Sequence, residues 1–394
     1  MKIMKKLFYI LIVIITIFPL FLLEIKVDAN ELDSSQSIYP NDPLLDEQWG
    51  LRAIRAIEGW KYEHDASNIR VAIIDSGVNF YHSDLRDNFN GSLSKSFSDK
   101  DVTHEPNGHG SEVAGIIGAK GNNKIGIAGI CWDVEMVALK VSDTGYAISP
   151  DLVTKAVNYA KNIGANVINM SFGQIGKNNE LSNAIKSFNG LVVCSAGNDG
   201  LDNDKNDHYP SNYDLDNIIV VGAINNYYEP CSFSNYGKTT VDIFAPSKGY
   251  TTNHNKYDYG YSYEGTSFAA PYVTGAAALL MAYHPDYSPT LIKNTILERA
   301  KKINSLKDKC VSGGYLDLAD MFHIHEYMYE YYNKKQHRRY CLNCEDFYED
   351  HNWTRVMEYP MQSIPNLFDP NVRMIYECVG CGTRSYGPIL GDII

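Results

Sequence analysis

The sequence has no block of basic residues, no internal repeat and no low-complexity linker. Asp and Glu number 47 against 35 Lys and Arg, which leaves a net charge of −12. Because nucleic-acid binding needs clustered positive charge, this composition argues against a nucleic-acid partner. Beyond residue 29 there is also no second apolar run of membrane-spanning length. At 394 residues the chain can hold one large domain with an appendage, or two to three small domains.

The one long apolar run stands at the N-terminus. Three lysines precede the apolar stretch 7–23, and small residues stand at the cleavage-defining positions of 27–29. We therefore expect residues 1–29 to be a signal peptide and the protein to be secreted or extracellular. The run is long for a signal peptide, so an uncleaved membrane anchor at the cell surface stays open. Residues 30–41 form a short polar segment before the main domain.

Short apolar segments alternate with helical patterns over the next two hundred residues. The predicted strands are 70–75, 134–141, 166–170, 191–194 and 217–221, and helices are predicted from about residues 109, 151, 181 and 266. Such strands, separated by helices, are typical of a mainly parallel sheet covered on both faces. The sequence thus predicts a doubly wound α/β fold.

Four polar residues stand where this fold would bring them together. Asp75 and Asn198 lie just past strand ends, and His109 and Ser267 lie at helix starts. In parallel sheets, ligands bind outside the carboxyl ends of the strands, so all four could share one rim. Ser267 has small neighbours and a helix N-terminus, whose unpaired N–H groups favour developing negative charge.

Five sequence blocks resemble those of the subtilisin-like serine proteases. Asp75-Ser76-Gly77, His109-Gly110-Ser111-Glu112-Val113-Ala114-Gly115 and Gly265-Thr266-Ser267-Phe268-Ala269-Ala270-Pro271 occur in the order Asp, His, Ser that marks this fold. The segments 167–173 and 195–198 resemble the family's substrate-binding strand and oxyanion loop. The resemblance implies a subtilisin-like catalytic domain over residues 42–322.

The resemblance also implies the chemistry. Ser267 would attack the scissile carbonyl, His109 would act as general base, and Asp75 would orient the imidazole. Asn198 would be the side-chain donor of the oxyanion hole, together with the backbone N–H of Ser267. We thus expect a secreted, monomeric serine endopeptidase that cleaves protein or peptide substrates through an acyl-enzyme and needs no cofactor for chemistry.

A further set of residues is implied to bind substrate. The set comprises Ser171, Phe172, Gly173, Ser195, Ala196, Gly197 and His208. The two three-residue segments would pair with the substrate backbone and line the primary specificity pocket. His208 stands where the family usually has a small residue. If it projects inward, it would favour a small or polar side chain just before the cut.

A calcium site is the expected structural element. By the resemblance its ligands would come from Asp42, Asp84, Asn123, Ile125 and Ile127, with carboxylate, amide and carbonyl oxygens of the kind that calcium prefers. The alternative is a capped turn that holds no ion.

The C-terminal part departs from the resemblance. We expect a connecting helix over 323–340 and a small module over 341–394 with two C-x2-C knuckles, Cys341/Cys344 and Cys378/Cys381. This spacing favours a zinc site, and two disulfides are the alternative. Four other cysteines, Cys131, Cys194, Cys231 and Cys310, are dispersed, and Cys194 is expected to be buried and inert.

Two alternatives for function stay open. The chain could be a processing protease dedicated to one exported peptide, or an inactive binding protein with the same fold at the cell surface. The presence of Asp75, His109, Ser267 and Asn198 together argues against the inactive alternative. The segment between Ala29 and Trp49 is too short for the folding-assisting propeptide of secreted relatives, so the activation route stays open.

Overall fold

A sheet of nine strands organises the part of the chain that the computed structural model describes with side chains, which is residues 38–173, 176–255 and 257–322. The first eleven strands are β1 (Asp65–Asp75), β2 (Lys95–Ser96), β3 (Asp133–Lys140), β4 (Val167–Met170), β5 (Leu191–Ser195), β6 (Ile218–Ile224), β7 (Ile243–Pro246), β8 (Tyr250–Thr252), β9 (Tyr259–Tyr261), β10 (Lys301–Lys302) and β11 (Gly314–Tyr315). Their order across the sheet is β10-β11-β7-β6-β5-β4-β1-β3-β2. Only β10 runs antiparallel to its neighbour in this sheet, and β8 and β9 form a separate antiparallel pair.

The helices connect these strands. They are α1 (Trp49–Ala53), α2 (Ala56–Gly59), α3 (His109–Gly118), α4 (Pro150–Asn162), α5 (Asn179–Lys186), α6 (Thr266–Tyr283), α7 (Pro289–Glu298) and α8 (Leu318–Phe322). Pro271 lies early in α6, where its missing N–H leaves few helical bonds unmade. Each strand and helix predicted for the catalytic domain is present, with ends that differ from the prediction by a few residues.

Both faces of the sheet are covered. The long apolar helix α6 packs across β1, β4, β5, β6 and β7 on one face, where it also contacts α3. On the other face, Ala72 and Ile74 of β1 belong to one apolar cluster with residues of α4 and α5. Val71 and Ile73 alternate with them and are also fully buried. A strand buried on both sides explains the continuous apolar runs in the sequence, and the predicted α/β fold with a mainly parallel sheet is confirmed.

Beyond residue 322 the structure describes five strands by their backbones. They are β12 (Tyr327–Asn333), β13 (Gln336–Cys341), β14 (Trp353–Met357), β15 (Arg373–Cys378) and β16 (Arg384–Pro388), and they form a two-stranded and a three-stranded antiparallel sheet. The connecting helix predicted over 323–340 is therefore wrong. Tyrosines at every second position from 327 to 331 have the period of a strand, and aromatic residues favour strands.

The cysteines divide into two groups. Cys131, Cys194, Cys231 and Cys310 are buried free thiols, as expected for Cys194. Cys344 and Cys381 lie outside the described residues, and so do the side chains of Cys341 and Cys378 at the ends of β13 and β15. The choice between zinc and disulfides in the tail thus stays a prediction.

Within the described residues, no helix combines the length and the apolar composition needed to cross a bilayer.

Candidate active site

Five of the predicted site residues meet at the edge of the sheet where the parallel strands have their carboxyl ends. Asp75 is the last residue of β1, Ser171 follows β4, and Ser195 ends β5. His109 is the first residue of α3, and Ser267 is the second residue of α6. Because β1, β4 and β5 are parallel neighbours, their carboxyl ends lie side by side.

Asp75 and His109 are in direct contact. Nδ1 of His109 lies 2.9 Å from Oδ1 and 3.0 Å from Oδ2 of Asp75, and the carboxylate is almost fully buried. Ser76 N–H also donates to Asp75 Oδ1 at 2.7 Å. This arrangement holds the proton of the neutral imidazole on Nδ1 and leaves Nε2 as the basic nitrogen.

The electrostatics of His109 follow from the same contact. Burial alone lowers the pKa of the imidazole, but the charge and hydrogen bond of Asp75 outweigh burial, and the net pKa is raised. Glu105 and Glu112 act in the same direction. His109 can therefore accept a proton more readily than an isolated buried histidine.

Ser267 is held by a reciprocal pair of hydrogen bonds with Ser171. Ser267 Oγ donates to the carbonyl of Ser171 at 2.8 Å, and Ser171 Oγ donates to the carbonyl of Ser267 at 2.7 Å. In this state the Ser267 hydroxyl hydrogen goes to Ser171 rather than to the imidazole. The His109 ring lies 5.3 Å from the ring of Phe268, beside the same helix start. Catalytic hydrogen bonds are often made only when substrate binds.

A buried polar chain continues below Ser171. Asn169 Nδ2 donates to Ser171 Oγ at 2.9 Å, and Thr274 Oγ1 donates to Asn169 Oδ1 at 2.8 Å. Asn169 and Thr274 are fully buried. Neither residue was among the predicted site residues, although a polar residue inside an apolar strand or helix is a signal in the sequence.

Asn198 lies at the start of α6. Its Oδ1 accepts hydrogen bonds from the N–H and the hydroxyl of Thr266, at 2.8 and 2.9 Å. The oxygen is thereby assigned, and Nδ2 of this exposed side chain remains as a donor. An amide donor beside a helix N-terminus can stabilise an oxyanion.

The two predicted substrate-binding segments lie next to each other. Ser195 Oγ donates to the carbonyl of Phe172 at 3.3 Å, which links the segment after β4 to the end of β5. His208 is buried against both segments. A Cβ on Gly173 would lie 1.9 Å from His208 Cε1, and one on Gly197 would lie 2.7 Å from Nε2. The imidazole therefore fills the space between the two segments.

His208 has a defined tautomer. The hydroxyl of Ser211 donates to the carbonyl of His208 at 2.5 Å, so Ser211 Oγ accepts from Nδ1 at 2.9 Å. Burial lowers the pKa of His208, against a smaller opposing effect of Asp199. His208 is therefore neutral near pH 7, and its Nε2 is a hydrogen-bond acceptor.

The residues predicted to bind calcium are also together. Asp42 accepts from the backbone N–H groups of Asn122 and Asn123 at 2.7 and 3.1 Å. Asp84 accepts from Asn123 Nδ2 at 2.7 Å and from the N–H of Ile127 at 3.0 Å. The Asn123 oxygen accepts from the N–H of Ile125 at 2.6 Å.

Two properties of this cluster suit a cation. Asp42 and Asp84 are buried, and among the described residues neither forms an ion pair with a lysine or arginine. Burial, together with the nearby charge of Asp42, raises the pKa of Asp84 to about 7. The described residues contain no cluster of three or more His, Cys, Asp or Glu that could hold a metal ion. A hard cation would thus need the amide and carbonyl oxygens of this loop as well.

Two further carboxyl groups lie near His109. Glu105 accepts from the N–H of Ser111 at 2.6 Å and from its hydroxyl at 2.5 Å. Burial raises the pKa of Glu105 and of Glu112 to about 7. Neither glutamate was among the predicted site residues.

Known proteins resemble this chain over the same region. The sequence profile of the subtilase family matches residues 66–315. The thermophilic serine proteinase of Bacillus sp. (strain AK1) is 35% identical over 250 residues, which are 61% of this chain and 59% of that protein. The chain thus spans less than two thirds of that relative. The major intracellular serine protease of Bacillus subtilis is 34% identical, over 60% of this chain and 76% of its own length.

Solved structures share the fold. A Pseudoalteromonas arctica protease superposes with a TM-score of 0.63 at 25% identity, over 72% of this chain and 98% of its own. The nisin leader peptidase of Lactococcus lactis has a TM-score of 0.62 at 24% identity, over 71% of this chain and 94% of its own.

Proposed function

Because this chain belongs to the subtilase family, we propose that it is a serine endopeptidase that cleaves peptide bonds with Ser267 as nucleophile, His109 as general base and Asp75 as the residue that orients the imidazole. The observation that carries the proposal is the contact between His109 Nδ1 and the buried Asp75 carboxylate, 2.9 Å apart, at the rim where the first turn of α6 holds Ser267.

The proposed reaction follows from these positions. The Ser267 hydroxyl turns from the Ser171 carbonyl to His109 Nε2 and gives up its proton as Oγ attacks the scissile carbonyl carbon. The imidazolium, stabilised by Asp75, then protonates the leaving amine as the peptide C–N bond breaks. Water deprotonated by His109 hydrolyses the acyl-enzyme and regenerates Ser267. No cofactor takes part in these steps.

The oxyanion that forms in both steps needs donors. Asn198 Nδ2 and the backbone N–H of Ser267 are the proposed pair. Thr266 supports this role, because its two hydrogen bonds to Asn198 Oδ1 fix the amide group and leave Nδ2 as the donor. Donors that are oriented before reaction cost no reorganisation in the transition state.

His208 sets the proposed specificity. Its ring occupies the space between the substrate-binding segments after β4 and β5, so the pocket for the residue just before the cut is shallow. Small residues fit it, and a serine hydroxyl could donate to Nε2. A narrow pocket also favours the second candidate function, a processing protease that cleaves few sites. The nisin leader peptidase has the same fold, but at 24% identity it supports the fold alone.

Calcium is the proposed structural ion. Asp42, Asp84 and Asn123 would hold it, with backbone oxygens of the loop that contains Ile125 and Ile127. The ion would neutralise two buried carboxylates and so stabilise this loop. The Asn123 side chain would have to release the N–H of Ile125 for its oxygen to reach the ion.

We propose that the protein acts outside the cell as a monomer. The support for the location is the N-terminal pattern of lysines, an apolar run and small residues over 1–29. If that segment is not cleaved, the enzyme would stay anchored at the cell surface.

A serine-reactive fluorophosphonate tests the proposed function. Full-length wild-type protein should take one label on Ser267, identified by mass spectrometry of the peptide, and Ser267→Ala should take none. Ser262→Ala, which changes a buried serine in the loop before α6, is the matched control and should keep the label. If the folded wild-type protein takes no label, the result would support the alternative function, an inactive binding protein with the same fold.

A further inference from the structure

A buried lysine lies beside the candidate triad. Lys140 is the last residue of β3, its register partner in β1 is Asp75, and its side chain is fully buried. Neither the chemistry proposed above nor the sequence blocks of the resemblance use it. A buried lysine is costly unless its charge and all its donors are satisfied.

All three donors of this lysine are used. Lys140 Nζ donates to the carbonyl of Ser76 at 2.5 Å, of His104 at 2.9 Å and of Ser142 at 2.6 Å. Carbonyl oxygens only accept, so three such bonds require the protonated ammonium. The side chain is therefore a positive charge inside the protein.

Two of the three carbonyls, those of Ser76 and His104, belong to segments that carry triad residues. Ser76 directly follows Asp75 and donates to its carboxylate. His104 lies in the loop that leads to His109 at the start of α3. The ammonium of Lys140 thus connects the end of β1, which carries Asp75, to the loop that precedes His109.

The surroundings of this ammonium are acidic. Asp143 Oδ1 lies 3.4 Å from Lys140 Nζ, and the charges of Glu105 and Asp75 also act on Lys140. The pKa of Asp101, on the loop before His104, is lowered mainly by hydrogen bonds from Thr103, and the charge of Lys140 acts in the same direction. The charged groups that act on His109 are Asp75, Glu112 and Glu105. Three acidic groups therefore act on His109, and two of them, Asp75 and Glu105, also act on the ammonium of Lys140.

We propose that Lys140 is a positioning residue for the triad: it holds the turn after Asp75 against the loop before His109, and its charge offsets the carboxylates around the imidazole. This inference rests on the proposed function, because it assigns His109 the role of base. In the absence of Lys140 the site would be more negative, and His109 would keep its proton to higher pH. The protonated imidazole cannot act as a base, so activity would begin at higher pH.

The test compares Lys140→Met and Lys140→Arg in the full-length protein. We expect the acid limb of the pH profile of kcat/KM to move up by about one pH unit in Lys140→Met. Lys140→Arg keeps the positive charge but changes the hydrogen bonds to the three carbonyls. It should therefore lower kcat and leave the acid limb of the pH profile in place.

Lys293→Met is the matched control. Lys293 is also largely buried and donates to the carbonyl of Ile218, but it pairs with Asp242. It should lower the melting temperature and leave the limb unchanged.

Because Glu105 and Glu112 also titrate near pH 7, the imidazole of His109 must be followed directly. NMR titration of His109 in the inactive Ser267→Ala background does so and does not depend on activity. Its pKa should rise when Lys140→Met is added. An unchanged pKa together with a fall in kcat would overturn the proposal and leave Lys140 a purely structural residue. Failure of the phosphonate label would instead count against the proposed function.

If Lys140→Met does not fold, Asp143→Asn provides the second variant. It retains the lysine and removes the carboxylate 3.4 Å from its ammonium. The pKa of His109 in the Ser267→Ala background should then fall by a few tenths of a unit, since Asp143 is partly exposed and screened. No shift, or a shift upward, would overturn the proposal.

Discussion

Ser267 and Ser171 hydrogen-bond each other reciprocally, each hydroxyl donating to the other's carbonyl, at 2.8 and 2.7 Å. The first bond holds the Ser267 hydroxyl, which is the proposed nucleophile, against the Ser171 carbonyl. The second ties the start of α6 to the end of β4 and continues into the buried Asn169 and Thr274. The nucleophile is therefore positioned by the sheet as well as by its own helix.

Ser171→Ala should lower the free energy of unfolding by about 1–3 kcal/mol. The change removes the acceptor of Asn169 Nδ2 and leaves a buried donor unsatisfied. Urea denaturation in the Ser267→Ala background, which prevents self-digestion, measures it. Ser187→Ala, which removes a hydroxyl bonded to the end of α5, should cost less. Equal losses in the two variants would contradict a special role for the buried chain.

Asn198→Asp should lower kcat by about two to three orders of magnitude. The aspartate keeps an oxygen that accepts from Thr266 and removes the Nδ2 donor, so the helix start should stay intact. Steady-state kinetics on a peptide substrate measure the loss. The same change at Asn206, whose amide bonds only to the Asp202 carbonyl of its own loop, is the control and should leave kcat within about twofold. An unaffected kcat in Asn198→Asp would exclude the amide from the oxyanion hole.

His208→Gly should shift the preference at the position just before the cut from small residues to large apolar ones. The imidazole fills the space between Gly173 and Gly197, and its removal should favour Phe over Ala by about 10–200-fold relative to wild type. The measurement is kcat/KM on peptides with Ala, Ser or Phe at that position. Ser211→Ala removes the hydrogen-bond partner of Nδ1 without opening the pocket, so it should not produce this shift. A wild-type enzyme that already prefers Phe would contradict the proposed pocket.

The stability of the calcium-free protein should fall as pH rises between about 4 and 7. The pKa of Asp84 is raised from 3.8 to about 7 in the folded protein, so in this window the folded state binds more protons than the unfolded state. Each excess proton lowers the free energy of unfolding by about 1.4 kcal/mol per pH unit. Bound calcium would stabilise the ionised carboxylate of Asp84. It should therefore remove the contribution of Asp84 to the fall in stability with pH.

Thermal unfolding of Ser267→Ala in EGTA and in calcium, from pH 4 to 8, tests this prediction. Glu105 and Glu112 contribute a decline of the same sign, which calcium should not change. Asp84→Asn is the matched variant and should respond less to calcium at every pH. If calcium leaves the wild-type profile unchanged, the loop is a capped turn without an ion.

Much of the fold could be predicted from local patterns. Each strand predicted in the catalytic domain is a mostly apolar run that is largely buried, and this burial leaves a signal in the sequence itself. The tail differs. A helix was predicted over 323–340, but Tyr327, Tyr329 and Tyr331 have the period of a strand, and the backbone forms β12 and β13 there.

The sequence by itself determined the α/β architecture, the order of Asp75, His109 and Ser267 along the chain, and the family, because strand periodicity and short motifs are local properties. Only the tertiary structure decided which distant groups meet. It brings Lys140 against three carbonyls from separate segments, and it turns His208 into the space beside Gly173 and Gly197. Contacts of this kind depend on how strands and loops pack in three dimensions, and neither residue type nor spacing along the chain encodes them in a readable form.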